Sequence, residues 1–169
     1  MGPTTCGMLA TSLSAASVEV VILDGNPIGC PSTVSLKPGA ATGVAITKGV
    51  FAVVDGRFGE VTQDPDSDLD VKLRWLDDSS ESGYMKVDKL TSVVASRIDL
   101  IEDYSHIQAL GEALSVSKVK TISFNESSFN SATLATFVQS VRWETAGVAS
   151  IDISGGLIYH MHCGLQQHA

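Results

Sequence analysis

The chain of 169 residues is short of several things that would narrow its role. It has eleven Lys and Arg against nineteen Asp and Glu, for a net charge of −8. Affinity for a phosphate backbone comes mainly from basic side chains that neutralise phosphates, so this balance speaks against nucleic acid as a partner. No run approaches the ~18 consecutive apolar residues of a membrane-spanning helix, and no membrane span is expected. Three cysteines, Cys6, Cys30 and Cys163, are too scattered, and odd in number, for a disulfide scaffold. They read as free thiols in a reducing, intracellular compartment. The motifs GxSxG and HExxH and the P-loop are all missing, and the glycines of 39–43 come without a Walker lysine. The expectation is a chain without enzymatic activity or cofactor.

Segment 1–17 has no charge at all and is rich in Thr, Ser and Ala. A secretory signal wants a basic start, and a transit peptide wants Arg. Met1-Gly2 meets the first condition of a myristoylation site, but Pro3 follows and Cys6 stands where Ser or Thr is needed. A frayed end or a capping turn is expected there. The 44% of apolar residues nevertheless excludes a wholly disordered protein and suits one domain or two small ones.

What the chain does hold is a repeat. Val18, Val21, Leu23, Asn26 and Ile28 fall at relative positions 1, 4, 6, 9 and 11. The same spacing recurs in Val119, Ile122, Phe124, Ser127 and Phe129, and again 29 residues on in Val148, Ile151, Ile153, Gly156 and Ile158. A weaker fourth set is Ala95, Ile98, Leu100, Asp103 and Ser105. Alternation over the central residues makes a short strand with one face inward, and the polar residue at the ninth position can bind backbone groups where the chain turns off it. Amphipathic helices lie between: Ile107, Leu110 and Leu114 share a face, as do Leu134, Phe137, Val138 and Val141 after an N-cap at Asn130-Ser131. Strand, turn and helix at this period resemble the leucine-rich repeat of the ribonuclease-inhibitor type, over residues 10–36 and 93–160. Ser127 and Gly156 depart from the Asn of that family. The resemblance implies parallel strands of one sheet formed by Val18–Leu23, Val119–Phe124 and Val148–Ile153, with a concave binding surface. Glu19 and Ile22, Lys120 and Ser123, and Ser150 and Asp152 are expected to face outward from it.

Residues 31–45 read as linker, and from Ile46 to Leu90 the period drops to two. Short alternating runs are separated by Asp55-Gly56, by the acidic stretch 64–68 and by 77–80, all of them turn chemistry. The segment resembles a small SH3-like barrel of the Tudor, KOW or Mind-bomb kind. The expected fold is thus α/β (α+β): an N-terminal repeat segment with linker over 1–45, the barrel over 46–91, and C-terminal repeats over 92–169.

Ten acidic residues against six basic ones give 46–91 a net charge of −4, crowded onto two hairpin tips. The function expected is a non-catalytic protein-interaction or scaffold subunit of a larger assembly, with a basic protein surface as partner. Asp66, Asp68, Trp75, Asp77, Asp78 and Tyr84 are the candidate contacts. The alternative is a reader of peptides or modified residues, since barrel aromatics can cage a methylated cation. Trp75 keeps phase with Val71 and Leu73, which favours core packing over a cage. Asp64, Asp66, Asp68 and Asp70 invite a calcium reading, but Leu69 and Trp75 stand where an EF-hand needs Gly and Glu. His160, His162 and Cys163 could supply three zinc ligands but lack a fourth.

Overall fold

The computed structural model describes residues 2–154. Its first element, helix α1 (Pro3–Leu13), stands where the sequence suggested a frayed end. Thr, Ser and Gly are weak helix formers, but Pro3 sits in the first turn, where its missing N–H costs nothing. Cys6, Ala10 and Leu13 lie on one face and are buried. Packing of that face, not propensity, holds the helix.

The chain continues through β1 (Val20–Ile22), β2 (Thr33–Leu36), β3 (Phe51–Val54), β4 (Arg57–Val61), β5 (Asp70–Val71), β6 (Leu73–Trp75), β7 (Met85–Lys86), β8 (Thr91–Val94) and β9 (Leu100–Asp103). It ends with α2 (Ser105–Leu114), β10 (Thr121–Ser123), α3 (Ser131–Ser140) and β11 (Ser150–Asp152). The fold is a mixture of helix and strand. Among the described residues no helix is long and apolar enough to cross a membrane.

Strands β1, β10 and β11 form one parallel sheet in that order, although β2 to β9 lie between the first two in sequence. Val21, Ile122 and Ile151 stand side by side in register. Val21 and Ile122 are buried, and Ile151 packs against the same core. The helices form a layer in matching order, α1 on α2 and α2 on α3. Most of the expected helix faces meet this core: Ile107, Leu110, Leu114, Phe137 and Val141 are buried, but Val138, one residue round the helix from Phe137, is 45% exposed. Phe124 stacks near Phe129 and Phe137 at ring separations of 4.7 and 5.2 Å. Asn130 caps α3, its Oδ1 accepting from the amides of Ala132 and Thr133 at 2.9 and 3.0 Å.

The ninth positions act alike. The Asn26 amide donates to the carbonyls of Leu23 and Asp24 at 3.0 and 2.9 Å, and the Ser127 hydroxyl donates to the Leu23 carbonyl at 2.7 Å. Gly29 lets the two turns touch, because a Cβ there would lie 2.5 Å from the backbone of Ser128 and Phe129. Gly156 and Ile158 of the third set lie outside the described residues.

The segment between differs from expectation in two ways. First, β2 and β9 pair as an antiparallel ribbon, Leu36 opposite Leu100. Part of the supposed linker is therefore a strand, and the fourth repeat candidate, Ala95 to Ser105, contributes to this stalk instead of to the parallel sheet. Second, no closed barrel is seen among the described residues. Strands β6, β4, β3 and β8 make an open antiparallel sheet in that order, and β5 and β7 pair apart from it. Two-residue strands are too short to bridge the open edges at β6 and β8. Each part has its own core, one around Val61, Val71 and Leu73 and one around Ile122 and Phe124. A smaller cluster of Phe51, Leu76, Val94 and Leu100 joins stalk and sheet.

Candidate functional site

Among the described residues the parallel sheet turns one face to the helices and leaves the other open. Val20 is 56% exposed and Ile22 68%, while Ser150 and Asp152 of the third strand are exposed beside them. Parallel sheets normally have both faces covered, so this surface departs from the usual pattern. Glu19 and Lys120, expected to face a partner, are exposed but engage each other, Nζ to Oε1 at 2.7 Å. The lysine, by hydrogen bond and charge, holds the Glu19 carboxyl below its ordinary pKa. Val20 and Thr121, not the expected Glu19 and Lys120, share the outer face with Ile22 and Ser123, because residues two apart on a strand point the same way. Asp24 staples the end of the face, accepting from the Ser123 hydroxyl and, at 2.9 Å, from the Asn125 amide.

The candidate contacts of the inserted segment fall into two groups. Trp75, Asp77 and Asp78 gather around Arg57, a residue the sequence reading passed over. Its guanidinium lies 4.5 Å from the Trp75 ring centre and reaches Asp77 and Asp78, each at 2.6 Å. Partial burial works to raise the Asp78 pKa, but hydrogen bonds from Ser80 and Arg57 outweigh it and hold the carboxyl below its ordinary value. The cation that an aromatic cage would seek is thus already supplied to Trp75 from within the chain. Tyr84 is 62% exposed with the Lys72 ammonium 4.4 Å from its ring centre. Trp75 and Tyr84 nevertheless line one open groove of about 400 Å³, together with Val54, Asp55, Arg57 and Lys89.

Asp66 and Asp68 sit apart, at the other hairpin tip, where the carboxylates build the turn. Asp66 Oδ1 accepts from the amides of Asp68 and Asp70 at 3.0 and 2.9 Å, and Asp64 accepts from the Lys48 amide at 2.8 Å. Lys86 binds the Asp68 carbonyl and the Asp70 carboxylate. These contacts tie the carboxylates of Asp64, Asp66 and Asp70 into the hairpin tip.

A third set of polar residues lies where stalk, helices and inserted sheet meet. Arg97 grips Glu102 with two guanidinium nitrogens, Nε at 3.0 Å and the terminal one at 2.7 Å, and the Tyr104 hydroxyl and Asn130 amide complete the network. Beside it a cleft of about 210 Å³ is lined by Cys30, Glu60, Arg74, Trp75, Arg97 and Asn130, among others. Burial pushes the Cys30 thiol up, and its hydrogen-bond partner at 3.2 Å is the Ser79 hydroxyl, not a base. Cys6, also buried, is pushed up to about 11. His160, His162 and Cys163 lie outside the described residues. No family model, curated protein or solved structure matches the chain.

Arg57 and Arg97 left little signal in the sequence. Arg57 follows an Asp-Gly turn by one residue and meets Asp77 only through the pairing of β4 with β6. Arg97 meets Glu102 across a bend that no periodicity announces.

Proposed function

We propose that this protein works without catalysis, as a protein-interaction module within a larger assembly, and that its partner presents a basic surface. The observation that carries the reading is the open outer face of the parallel sheet, aliphatic on β1 and polar on β10 and β11. A short repeat array of the leucine-rich kind would offer such a face to a partner. The acidic inserted sheet supports it as a second contact, one that speeds encounter with a cationic surface more than it tightens the final complex.

A second reading has one observation in its favour. The groove shared by Trp75 and Tyr84 would hold an extended peptide, with the repeats as support. Photo-crosslinking separates the readings. A benzophenone side chain at Thr121, at Tyr84 or, as control, at Glu112 on the helix side would be irradiated in native extract. Specific capture through Thr121 is expected for the sheet-face reading, and capture through Tyr84 alone for the groove. Equal labelling at all three positions, Glu112 included, would overturn both.

A further inference from the structure

Among the described residues the parallel sheet has a free edge at β1, where only β10 pairs with it. The amides of Leu23 and Gly25 donate to Ser123 and Asn125, and the Glu19 carbonyl accepts from 120 and 121. Odd-numbered residues therefore face β10, and the backbone groups of Val18, Val20 and Ile22 face outward. The side chains of the same three residues lie on the outer face, 40%, 56% and 68% exposed. Proteins usually protect such an edge with Lys, Pro, a bulge or a covering segment. Along 18–22 the one charged side chain is Glu19, already held by Lys120.

We infer that this edge pairs with a second copy of the chain, antiparallel about a two-fold axis at Val20. The pattern Val18-x-Val20-x-Ile22 reads as aliphatic in both directions. A two-fold at Val20 sets Val20 opposite Val20 and Val18 opposite Ile22, twice, and every pair is a hydrogen-bonded one. Parity limits the register to even–even pairs, and among these only the two-fold at Val20 pairs all three aliphatic residues with one another; one at 19 would set Ile22 opposite Ala16, and one at 21 would set Val18 opposite Asp24. Of the charges nearest the contact, Glu19 is balanced by Lys120 within each copy, and the two-fold sets Asp24 of one copy opposite residue 16 of the other, beside Ser17, which the Lys118 ammonium reaches. The net −8 of each copy still repels at long range. Half of it lies in 46–91, a separate unit with its own core. Six aliphatic side chains and one strand edge are small beside the ~1,200–2,000 Å² of a stable interface. The pairing is therefore weak, in the micromolar range, and strengthens as salt screens the net charge. It would join two three-stranded sheets into one of six, with Ser150 and Asp152 of both copies left free on the same face.

Sedimentation velocity over a wide concentration range, in low and in high salt, tests the association on the full chain. A monomer–dimer equilibrium that tightens at high salt is expected. Val20→Lys, at an exposed position, should shift it towards monomer at least tenfold by placing two ammonium groups opposite each other. The register is tested in a Cys163→Ser background, so that the buried Cys6 and Cys30 are the other thiols. Directly opposed residues in a hydrogen-bonded pair have Cα atoms ~5.5 Å apart, within disulfide reach. Val20→Cys should form an intermolecular disulfide on mild oxidation, and Ile22→Cys should not. A monomer at every concentration, unaffected by salt, would overturn the proposal. So would species growing beyond the dimer, which would mean head-to-tail contact with β11, or equal crosslinking by both cysteine variants. Amide protection at Val20 and Ile22 that arises only when another protein is added would give the edge to a different partner.

Discussion

At position 106 a buried imidazole joins three elements. His106 Nε2 lies 2.8 Å from the Ile28 carbonyl and must carry a proton to bind it, while Nδ1 is buried with no partner among the described residues. Burial pushes its pKa down, so the folded ring stays neutral where an unfolded one begins to charge. Below the ordinary histidine pKa of ~6.5 the unfolded chain then binds more protons than the folded one. Stability should fall as pH drops through that value, by up to ~1.4 kcal/mol per pH unit, until the folded pKa is reached. Above pH ~6.5 the ring contributes no slope. The depressed carboxyls of Asp78, Asp103 and Asp152 act in a separate window, losing their contribution only at more acid pH, below ~4. Denaturant titrations of wild type and His106→Gln between pH 5 and 7.5 check this. The variant should be flat where wild type slopes, and equal slopes would show that His106 is not the titrating group.

At the scale of elements, the same substitution should have opposite signs in two helices. Glycine inside a helix ordinarily costs ~0.5–1 kcal/mol relative to alanine. In α1 a Cβ on Gly7 would meet nothing closer than the Cβ of His106 at 3.9 Å, an ordinary contact. Gly7→Ala should therefore stabilise by about that amount. In α2 a Cβ on Gly111 would lie 2.6 Å from Ser140 Cβ and 3.2 Å from the Phe137 carbonyl oxygen. The overlap outweighs the propensity gain, and Gly111→Ala should destabilise by roughly 1–3 kcal/mol, both values read from thermal or denaturant unfolding. The contrast also shows what the sequence could reveal. The strands and the inner faces of α2 and α3 were legible because Val21, Ile122 and Ile151 alternate in frame and Ile107, Leu110 and Leu114 share a helical face. Helix α1 was not, since its buried Cys6 and Ala10 are small and its other letters favour turns. The stalk was missed because Val34 and Leu36 look like linker until Leu100 and Ile101 arrive across a long insertion. Of the candidate contacts, alternation put Trp75 toward the core, and it does pack there on one side. That Arg57 would cover its other face, and bind Asp77 and Asp78, depended on a cross-strand approach that composition does not record.

At the scale of the whole molecule, the insertion and the parallel sheet each have a hydrophobic core of their own. The core around Ile122 and Phe124 draws nothing from between Ile28 and Tyr104, and the core around Leu73 draws only on residues from Val44 to Val93. The two meet through the β2–β9 ribbon, in which Leu36 and Leu100 stand directly opposite. Next to them the Lys37 amide donates to the Asp99 carbonyl at 2.8 Å, and a two-residue Asn-Gly turn closes a hydrogen-bonded pair of this kind, so residues 38–98 can be replaced by it. The excision removes Arg97 and would strand the Glu102 carboxylate, whose side chain is only 11% exposed. A buried charge left alone costs several kcal/mol, so the shortened chain should also carry Glu102→Gln. With that change it is expected to fold, with slow amide exchange at Ile107, Leu110, Ile122 and Phe124 as in the full chain. The β1 edge is untouched, so dimerisation should persist. Association with a basic protein should slow in low salt, since the acidic tips at Asp66, Asp68, Asp77 and Asp78 are gone. Fast exchange across α2 and β10 would mean that the stalk cluster around Leu100 holds the parallel sheet and its helices in place, and that the insertion is part of their fold instead of a passenger upon it.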